Sequence, residues 1–146
     1  SWTQVASHNF TATPQATFDA DVTGYSDVLL VWSAVALAAS GFRAARVSTD
    51  GGGTFHATLG DYVSTSAGGL ITNAASVTFH ATAASGSRTG QMLLSAINVN
   101  DTAPKTFIGG DSASQFVANG LPITDVRFLS TAAGNITAGT VYVLAK

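Results

Sequence analysis

Three histidines and eight aspartates are the side chains best suited to acid–base or metal chemistry here, because the chain has no cysteine and no glutamate. His8, His56 and His80 are far apart and lack the short ligand spacing that is typical of zinc sites. Asp19 and Asp21 share one face of a predicted strand, but calcium binds six to eight oxygens and no loop supplies an acidic cluster. The sequence therefore predicts no metal site.

Hydrolytic catalysis needs side-chain arrangements that this sequence does not display. Glycoside hydrolysis requires two facing carboxyl groups, one of them with a raised pKa, whereas the aspartates here are dispersed and mostly lie beside predicted turns. A Ser–His–Asp arrangement stays open in a serine-rich chain, although the G-x-S-x-G elbow that would favour it is absent. We therefore expect a protein that is not an enzyme and has no cofactor, with a glycan-degrading enzyme as a distant alternative.

The charged residues also argue against nucleic acid as a partner. The chain has six Lys and Arg residues and a net charge of −2, and its basic residues are too scattered to form a phosphate-binding track. The longest apolar run, residues 28–39, is shorter than the roughly 20 residues that a membrane-spanning helix needs. We expect neither nucleic-acid binding nor membrane insertion.

Side chains that suit a sugar occur in the polar segments between predicted strands. Aromatic faces stack on sugar rings, and amide and carboxylate groups pair with sugar hydroxyls. A count of about ten antiparallel strands, joined by loops of the kind that carry binding residues in β-sandwiches, places both termini at one end. Segments 11–14, 40–41, 59–73, 98–105 and 131–138 then lie at the far end. The predicted ligand-binding residues in these segments are Asp61, Tyr62, Asn98, Asn100, Asp101, Lys105 and Asn135.

The glycine-rich turn within FRAARVSTDGGGTF, residues 42–55, has a structural motif. Ser48, Asp50, Gly52, Thr54 and Phe55 fit the pattern S-x-D-x-G-x-T-aromatic, which resembles the Asp-box, a β-hairpin motif of sialidases and other sugar-handling β-proteins. The aspartate carboxylate can accept hydrogen bonds from N–H groups of the turn, and the aromatic ring can anchor the hairpin to the core. Asp-boxes are usually structural, so we interpret this turn as a structural element, placed at the same end as the termini. A sialidase propeller would carry several copies, so this single copy argues against a propeller.

Short strands at roughly ten-residue spacing, separated by turns rich in Gly, Asn, Asp and Pro, predict an all-β sandwich or barrel. One domain covering residues 1–146 suits this length. The sequence predicts a loop over residues 66–73. It also predicts a return strand directly after the glycine-rich turn. The other predicted strands are Trp2–Phe10, Gln15–Val22, Val28–Ala39, Phe42–Val47, Asp61–Thr65, Ala75–Thr82, Arg88–Val99, Thr106–Ile108, Gln115–Val117, Ile123–Ser130 and Gly139–Lys146.

The Val28–Ala39 segment is apolar on both faces if it is a strand, which indicates that both faces are covered. A helix is the alternative for so many Ala and Leu residues. Only 10% of the residues are charged and the mean hydropathy is +0.30, whereas about a quarter of residues are charged in average proteins. This composition fits either a robust extracellular β-protein or an oligomer that hides apolar faces between its subunits. We favour the oligomer.

Three parts of the chain together resemble the jelly-roll heads of bacteriophage fibre, spike and tail proteins. These are the Trp2 opening, the stretch YSDVLLVWSAVALAASGFRAARVSTDGGGTF and the ending ITDVRFLSTAAGNITAGTVYVLAK. The similarity covers nearly the whole chain and extends to the head spikes of related particles such as gene transfer agents. It implies a distal, often trimeric domain with a jelly-roll sandwich fold that contacts host-surface glycans or proteins and is rarely enzymatic.

The sequence thus favours an antiparallel β-sandwich of jelly-roll type on the surface of a virion or phage-like particle. Its expected partner is a host cell-surface glycan, either a polysaccharide or a lipopolysaccharide. We expect a homotrimer whose terminal end contacts other proteins of the particle. The alternative from a different class is a structural decoration or fibre-assembly domain without a ligand.

Overall fold

Twelve β-strands form two antiparallel sheets in the computed structural model, which describes residues 1–66 and 69–146. The predicted antiparallel β-sandwich is therefore confirmed. The strands are β1 Thr3–Asn9, β2 Thr17–Asp21, β3 Val28–Leu37, β4 Arg43–Ser48, β5 Tyr62–Ser66, β6 Gly69–Ala74, β7 Val77–Thr78, β8 Arg88–Ser95, β9 Lys105–Gly109, β10 Ser112–Phe116, β11 Asp125–Ser130 and β12 Ile136–Ala145.

The two sheets differ in size. The larger has eight strands in the order β1-β12-β3-β8-β9-β10-β5-β6, and the smaller has four in the order β2-β11-β4-β7. The apolar segment Val28–Ala39 forms the interior strand β3, which pairs with β12 and β8. The strand prediction is confirmed, and the helix alternative was wrong. No helix in the described residues is long and apolar enough to cross a membrane.

Alternating side chains of the two sheets meet in an aromatic core. Trp32 of β3 stacks on Phe79 with ring centroids 4.4 Å apart, and Phe128 of β11 lies 5.4 Å from Phe79. All three are buried, and each large apolar side chain contributes about 1.5–3 kcal/mol when it leaves water. Gly90 of β8 makes room for the indole, because a Cβ there would lie 2.6 Å from Trp32 Cζ2.

Both termini lie at one end of the sandwich, as predicted. Ala145 pairs with Thr3 on one side and with Val28 on the other, and the Lys146 ammonium lies 4.9 Å from the ring centroid of Trp2. We call this the terminal end; the antiparallel registers place connections 22–27, 49–61, 96–104 and 117–124 there. The opposite, distal end holds connections 10–16, 38–42, 79–87, 110–111 and 131–135.

Two predicted connections were wrong. As a result, some of the later loops lie at the opposite end of the sandwich from the one predicted. Connection 49–61 crosses from β4 in the smaller sheet to β5 in the larger one, so the expected return strand is not formed. The predicted loop after residue 66 contains β6, which pairs with β5; residues 67–68 of that loop lie outside the described residues. Segment 98–105 consequently lies at the terminal end, not at the far end.

The outer faces of the two sheets differ in charge. Outward-facing positions of the smaller sheet carry Asp19, Asp21, Arg46, Asp125 and Arg127. The strands of the larger sheet contain just two Lys or Arg residues and no Asp among the described positions. Those two, Lys105 and Arg88, are at positions whose side chains point to the inner, buried side of the sheet. The larger sheet thus presents an uncharged outer face.

Candidate ligand-binding site

A groove crosses the outer face of the larger sheet, over β9, β10, β5 and β6. Its volume is about 420 Å³, which is within the 300–1,000 Å³ range of typical ligand pockets. Most of its lining residues are alternate residues of β5, β9 and β10, because side chains alternate between the faces of a sheet. The groove is lined by Val63, Thr65, Leu70, Thr106, Ile108, Ala113, Ser114 and Gln115.

The groove combines apolar surface with neutral polar groups. Leu70 and Ile108 are 66% and 61% exposed, so both side chains offer apolar surface to a ligand. The Thr106 hydroxyl and the Gln115 amide supply donors and acceptors without charge, and the Thr65 hydroxyl oxygen can accept a hydrogen bond. This composition suits a ligand that has both hydrophobic faces and hydroxyl groups.

A network of hydroxyl groups beneath the groove holds its strands together. Ser64 Oγ of β5 lies 2.9 Å from Ser114 Oγ of β10, which in turn lies 3.0 Å from Ser112 Oγ. Thr65 Oγ1 donates to Ser112 Oγ at 3.3 Å and accepts a hydrogen bond from Ala113 N at 3.2 Å. These bonds join β5 to β10 and fix the spacing of the groove walls.

A smaller cavity adjoins the groove at the terminal end. Its volume is about 130 Å³, and Thr106 lines both the cavity and the groove. The β8–β9 connection, residues 96–104, forms its outer wall. The cavity is lined by Ser95, Ala96, Val99, Asp101, Ala103, Pro104, Lys105 and Thr106.

Hydrogen bonds to Gly120 fix the wall of this cavity. Asp101 N and Lys105 Nζ both donate to Gly120 O, at 3.0 and 3.2 Å. A Cβ at Gly120 would lie 1.7 Å from Asp101 O, so only glycine permits this approach. Burial lowers the pKa of Lys105, and the nearby Asp101 charge opposes that effect. Lys105 is 4% exposed, so its main role is to hold the wall in place through its hydrogen bond to Gly120 O.

The structure brings together some of the predicted ligand-binding residues. Asp101 and Lys105 line the same cavity, and Asn98 and Asn100 are exposed on the same connection. Asn135 is exposed at the distal end, in the connection before β12. The predicted set therefore divides between the two ends of the sandwich.

Tyr62 is not in a loop. It begins β5, is fully buried, and its hydroxyl donates to His56 O at 2.8 Å and accepts from Val47 N at 2.9 Å. Burial raises the pKa of its phenol. The ring faces Phe116 in the core at a centroid distance of 5.5 Å, so it has no free face for a sugar.

The neighbouring Asp61 belongs to a polar cluster at the terminal end. His56 Nδ1 lies 3.8 Å from Asp61 Oδ2, and His56 Nε2 lies 3.3 Å from Thr49 Oγ1 and 3.5 Å from Asn119 Nδ2. A 3.8 Å separation is too long for a hydrogen bond, and Asp61 Oδ2 accepts from Thr58 N at 2.9 Å instead. The cluster fastens connection 49–61 to the adjoining loop.

In the glycine-rich turn, Asp50 accepts a backbone N–H bond as predicted, and Ser48 adds two bonds that were not predicted. Asp50 Oδ1 accepts from Ser48 Oγ at 2.7 Å and from Thr54 N at 2.9 Å, and Ser48 Oγ accepts from Gly52 N at 3.0 Å. The bond from Ser48, followed by that from Thr54, lowers the pKa of Asp50. Phe55 does not enter the core, which corrects the prediction: its ring lies on the surface, with Arg127 Cζ 4.1 Å from the centroid.

Within residues 1–66 and 69–146, no cluster of three or more His, Asp, Glu or Cys side chains could hold a metal ion. The groove itself was missed by sequence reasoning, which searched the loops for ligand contacts. A signal was present in the outward positions of the strands, where apolar and hydroxyl side chains replace the expected charges.

Comparison with family models and with curated proteins gave no match. Among solved structures, a fructosyltransferase from A. japonicus has 13% sequence identity and a TM-score of 0.51, covering 100% of this chain and 26% of that chain. A tetrameric galectin from the sponge Cinachyrella sp. has 9% identity and a TM-score of 0.44, over 85% of this chain and 93% of that one. A carbohydrate binding module from Bacillus subtilis has 9% identity and a TM-score of 0.41, over 99% and 95%. The chain spans 26% of the fructosyltransferase, and this similarity shows the β-sandwich fold.

Proposed function

We propose that this protein is a carbohydrate-recognition domain that binds a glycan in the groove over β9, β10, β5 and β6. The observation that carries the proposal is the composition of that groove. Sugars present C–H faces, which can be buried against apolar side chains, and hydroxyls, which pair with neutral donors and acceptors. Leu70 and Ile108 supply the first kind of surface, and Thr65, Thr106 and Gln115 supply the second.

The absence of charge from the described strand residues of the outer face favours a neutral glycan segment. A charged ligand would lose hydration in the groove without an opposite charge to replace it. The smaller sheet, with Asp19 and Arg127 outside, has the mixed charge of an ordinary solvated face. The contrast supports recognition at the larger sheet.

The wider role we propose is host attachment from the surface of a virion or phage-like particle, by a domain without catalytic activity. The support is the sequence resemblance to phage fibre and spike heads, together with the position of both termini at one end. Linkage to the particle through that end would leave the groove on the outer face free.

We also propose that the domain works as a homotrimer. Leu29, Val31, Leu93 and Tyr142 form an apolar area on the outer face of β12, β3 and β8, next to the groove. A subunit contact would cover it. Three copies would present three grooves to a cell, so sites with millimolar affinity, worth about 4 kcal/mol each, could hold firmly together.

Binding to a glycan array tests the proposal. The parent protein should retain neutral glycans, and Gln115→Ala and Leu70→Ala should weaken binding with the melting temperature unchanged. Gln91→Ala is the matched control, because Gln91 lies on the same face two strands from β10 and does not line the groove. A parent protein that binds no glycan and no host cells would favour a structural decoration domain, for which the apolar outer area is the supporting observation.

A further inference from the structure

We infer that the recognised glycan carries an N-acetylated amino sugar whose acetamido group enters the cavity beside the β8–β9 connection. This inference rests on the proposed function and adds the substrate class. It follows from the cavity, which shares the lining residue Thr106 with the groove. A sugar ring that contacts Thr106 in the groove would therefore have a substituent next to the cavity.

The cavity has the size of an acetamido group. Its volume is about 130 Å³, and a water molecule in the liquid takes about 30 Å³, so the space equals about four waters. An acetamido group has four non-hydrogen atoms. A single hydroxyl would leave most of this space to water, whereas an acetamido group would bring its methyl into contact with the apolar part of the wall.

The lining matches the two ends of that group. Four apolar residues, Ala96, Val99, Ala103 and Pro104, contribute to the wall, which suits a methyl group. The Thr106 hydroxyl can donate to the acetamide carbonyl, because a hydroxyl is both donor and acceptor.

Asp101 supplies the acceptor for the acetamide N–H. Its Oδ1 accepts from Ala103 N at 2.8 Å, and a carboxylate can accept up to about four hydrogen bonds. Lys105 Nζ is held by Gly120 O. The exposed charge in the cavity is thus negative, which disfavours a carboxylated or phosphorylated sugar.

The connection that forms the wall is held in place before any ligand arrives. Ala96 has a left-handed backbone with φ of 54°, a conformation that costs energy for a residue with a Cβ. It is held there by bonds from Ala96 N to Asp27 Oδ1 at 3.1 Å and from Ile97 N to Ser26 O at 2.9 Å. A wall fixed in this way loses little entropy on binding.

Competition by simple sugars tests the inference. N-acetylglucosamine and N-acetylgalactosamine should compete with array glycans at least about tenfold better than glucose and galactose, a difference of about 1.4 kcal/mol. Equal competition by all these sugars, with binding to the groove intact, would overturn this inference alone; a parent protein that binds no glycan would overturn the proposed function.

Two variants locate the effect in the cavity. Ala103→Leu and Ser95→Leu fill the space and should remove the preference for N-acetylated sugars while retaining binding to neutral glycans. Ala133→Leu is the matched control, since Ala133 is exposed at the distal end, and it should keep the preference. If both filled variants fold with the parent's melting temperature and keep the preference, the assignment of the cavity is wrong; Ser95, on β8, provides the test if Ala103→Leu does not fold.

Discussion

Trp32 donates a hydrogen bond from its indole Nε1 to Nε2 of His80 at 3.2 Å, in the buried part of the sandwich. Only an unprotonated Nε2 can accept this bond. Burial lowers the pKa of His80, and the positive charges of Arg88 and Arg43 lower it further; Asp111, whose Oδ2 lies 3.8 Å from Nδ1, opposes them. The folded protein therefore holds this histidine neutral.

Acid should destabilise the protein through His80. The unfolded residue titrates near its ordinary value of 6.5 and the folded residue titrates lower. The unfolded chain consequently binds more protons, and the free energy of unfolding falls as the pH decreases from about 6.5 toward the folded pKa. Thermal melts from about pH 8 to about pH 5 should show a larger decrease for the parent than for His80→Gln, which cannot titrate. Parallel decreases would contradict the assignment.

Gly90→Ala should destabilise the core. A Cβ at this position would lie 2.6 Å from Trp32 Cζ2, and overpacking of this kind typically costs about 1–3 kcal/mol. Gly86→Ala is the control, because a Cβ at Gly86 meets nothing within 4 Å. Urea unfolding should give a clearly lower free energy for Gly90→Ala than for Gly86→Ala; equal values would show that the indole shifts at no cost.

Tyr62→Phe should reduce stability and leave glycan binding unchanged. The substitution removes the acceptor for the buried Val47 N–H, and a buried donor without a partner costs about 1–3 kcal/mol. Tyr142→Phe, at an exposed position of the outer face, should have little effect on unfolding. Loss of binding by Tyr62→Phe at full stability would restore the ligand-binding role that the sequence suggested.

Asp50→Ala should lower the melting temperature without affecting binding. The carboxylate accepts bonds from both Ser48 and Thr54, and alanine accepts neither. Asp50→Asn retains one carbonyl oxygen and should fall between the parent and Asp50→Ala. A stable Asp50→Ala variant that has lost its ligand would instead give the turn a functional role.

Light scattering should report a trimer for the parent protein at micromolar concentration. Leu93→Asp places a charge in the apolar area that we assign to the subunit contact, and burial of an unpaired charge is costly, so this variant should be a monomer. Leu121→Asp is the control, at an exposed leucine in the 117–124 connection. A monomeric parent protein would refute the trimer.

Much of the local structure followed from short-range rules. The alternation of Phe18 and Ala20 with Asp19 predicted a strand that β2 confirms, because a pleated strand has a period of two. Asp50 was predicted to hold its turn, because a short carboxylate reaches the N–H groups just beyond it. The strand β6 was missed, since most of its residues are exposed and show little alternation in burial.

The groove could not be predicted from the sequence, because residues that are adjacent in sequence do not show which strands pair. Val63, Leu70, Ile108 and Gln115 line one groove, but alternation says only which residues of a strand share a face, not which strands lie side by side. Tyr62 had the right chemistry for a sugar and is buried, because it begins β5 with its side chain on the core side, and the position in the predicted strand Asp61–Thr65 did not show which face would be covered.

The sequence by itself determined an all-β chain, its single Asp50 turn and the low charge that marks an unusual surface. Tertiary structure decided that connection 49–61 crosses between the sheets, which moves 98–105 to the terminal end. It also decided that Arg43, on a strand of alternating pattern, is buried with its guanidinium donating to Val35 O at 2.7 Å. Pairing between distant strands selects these features, because the same local pattern is compatible with several neighbours and either face can become the core.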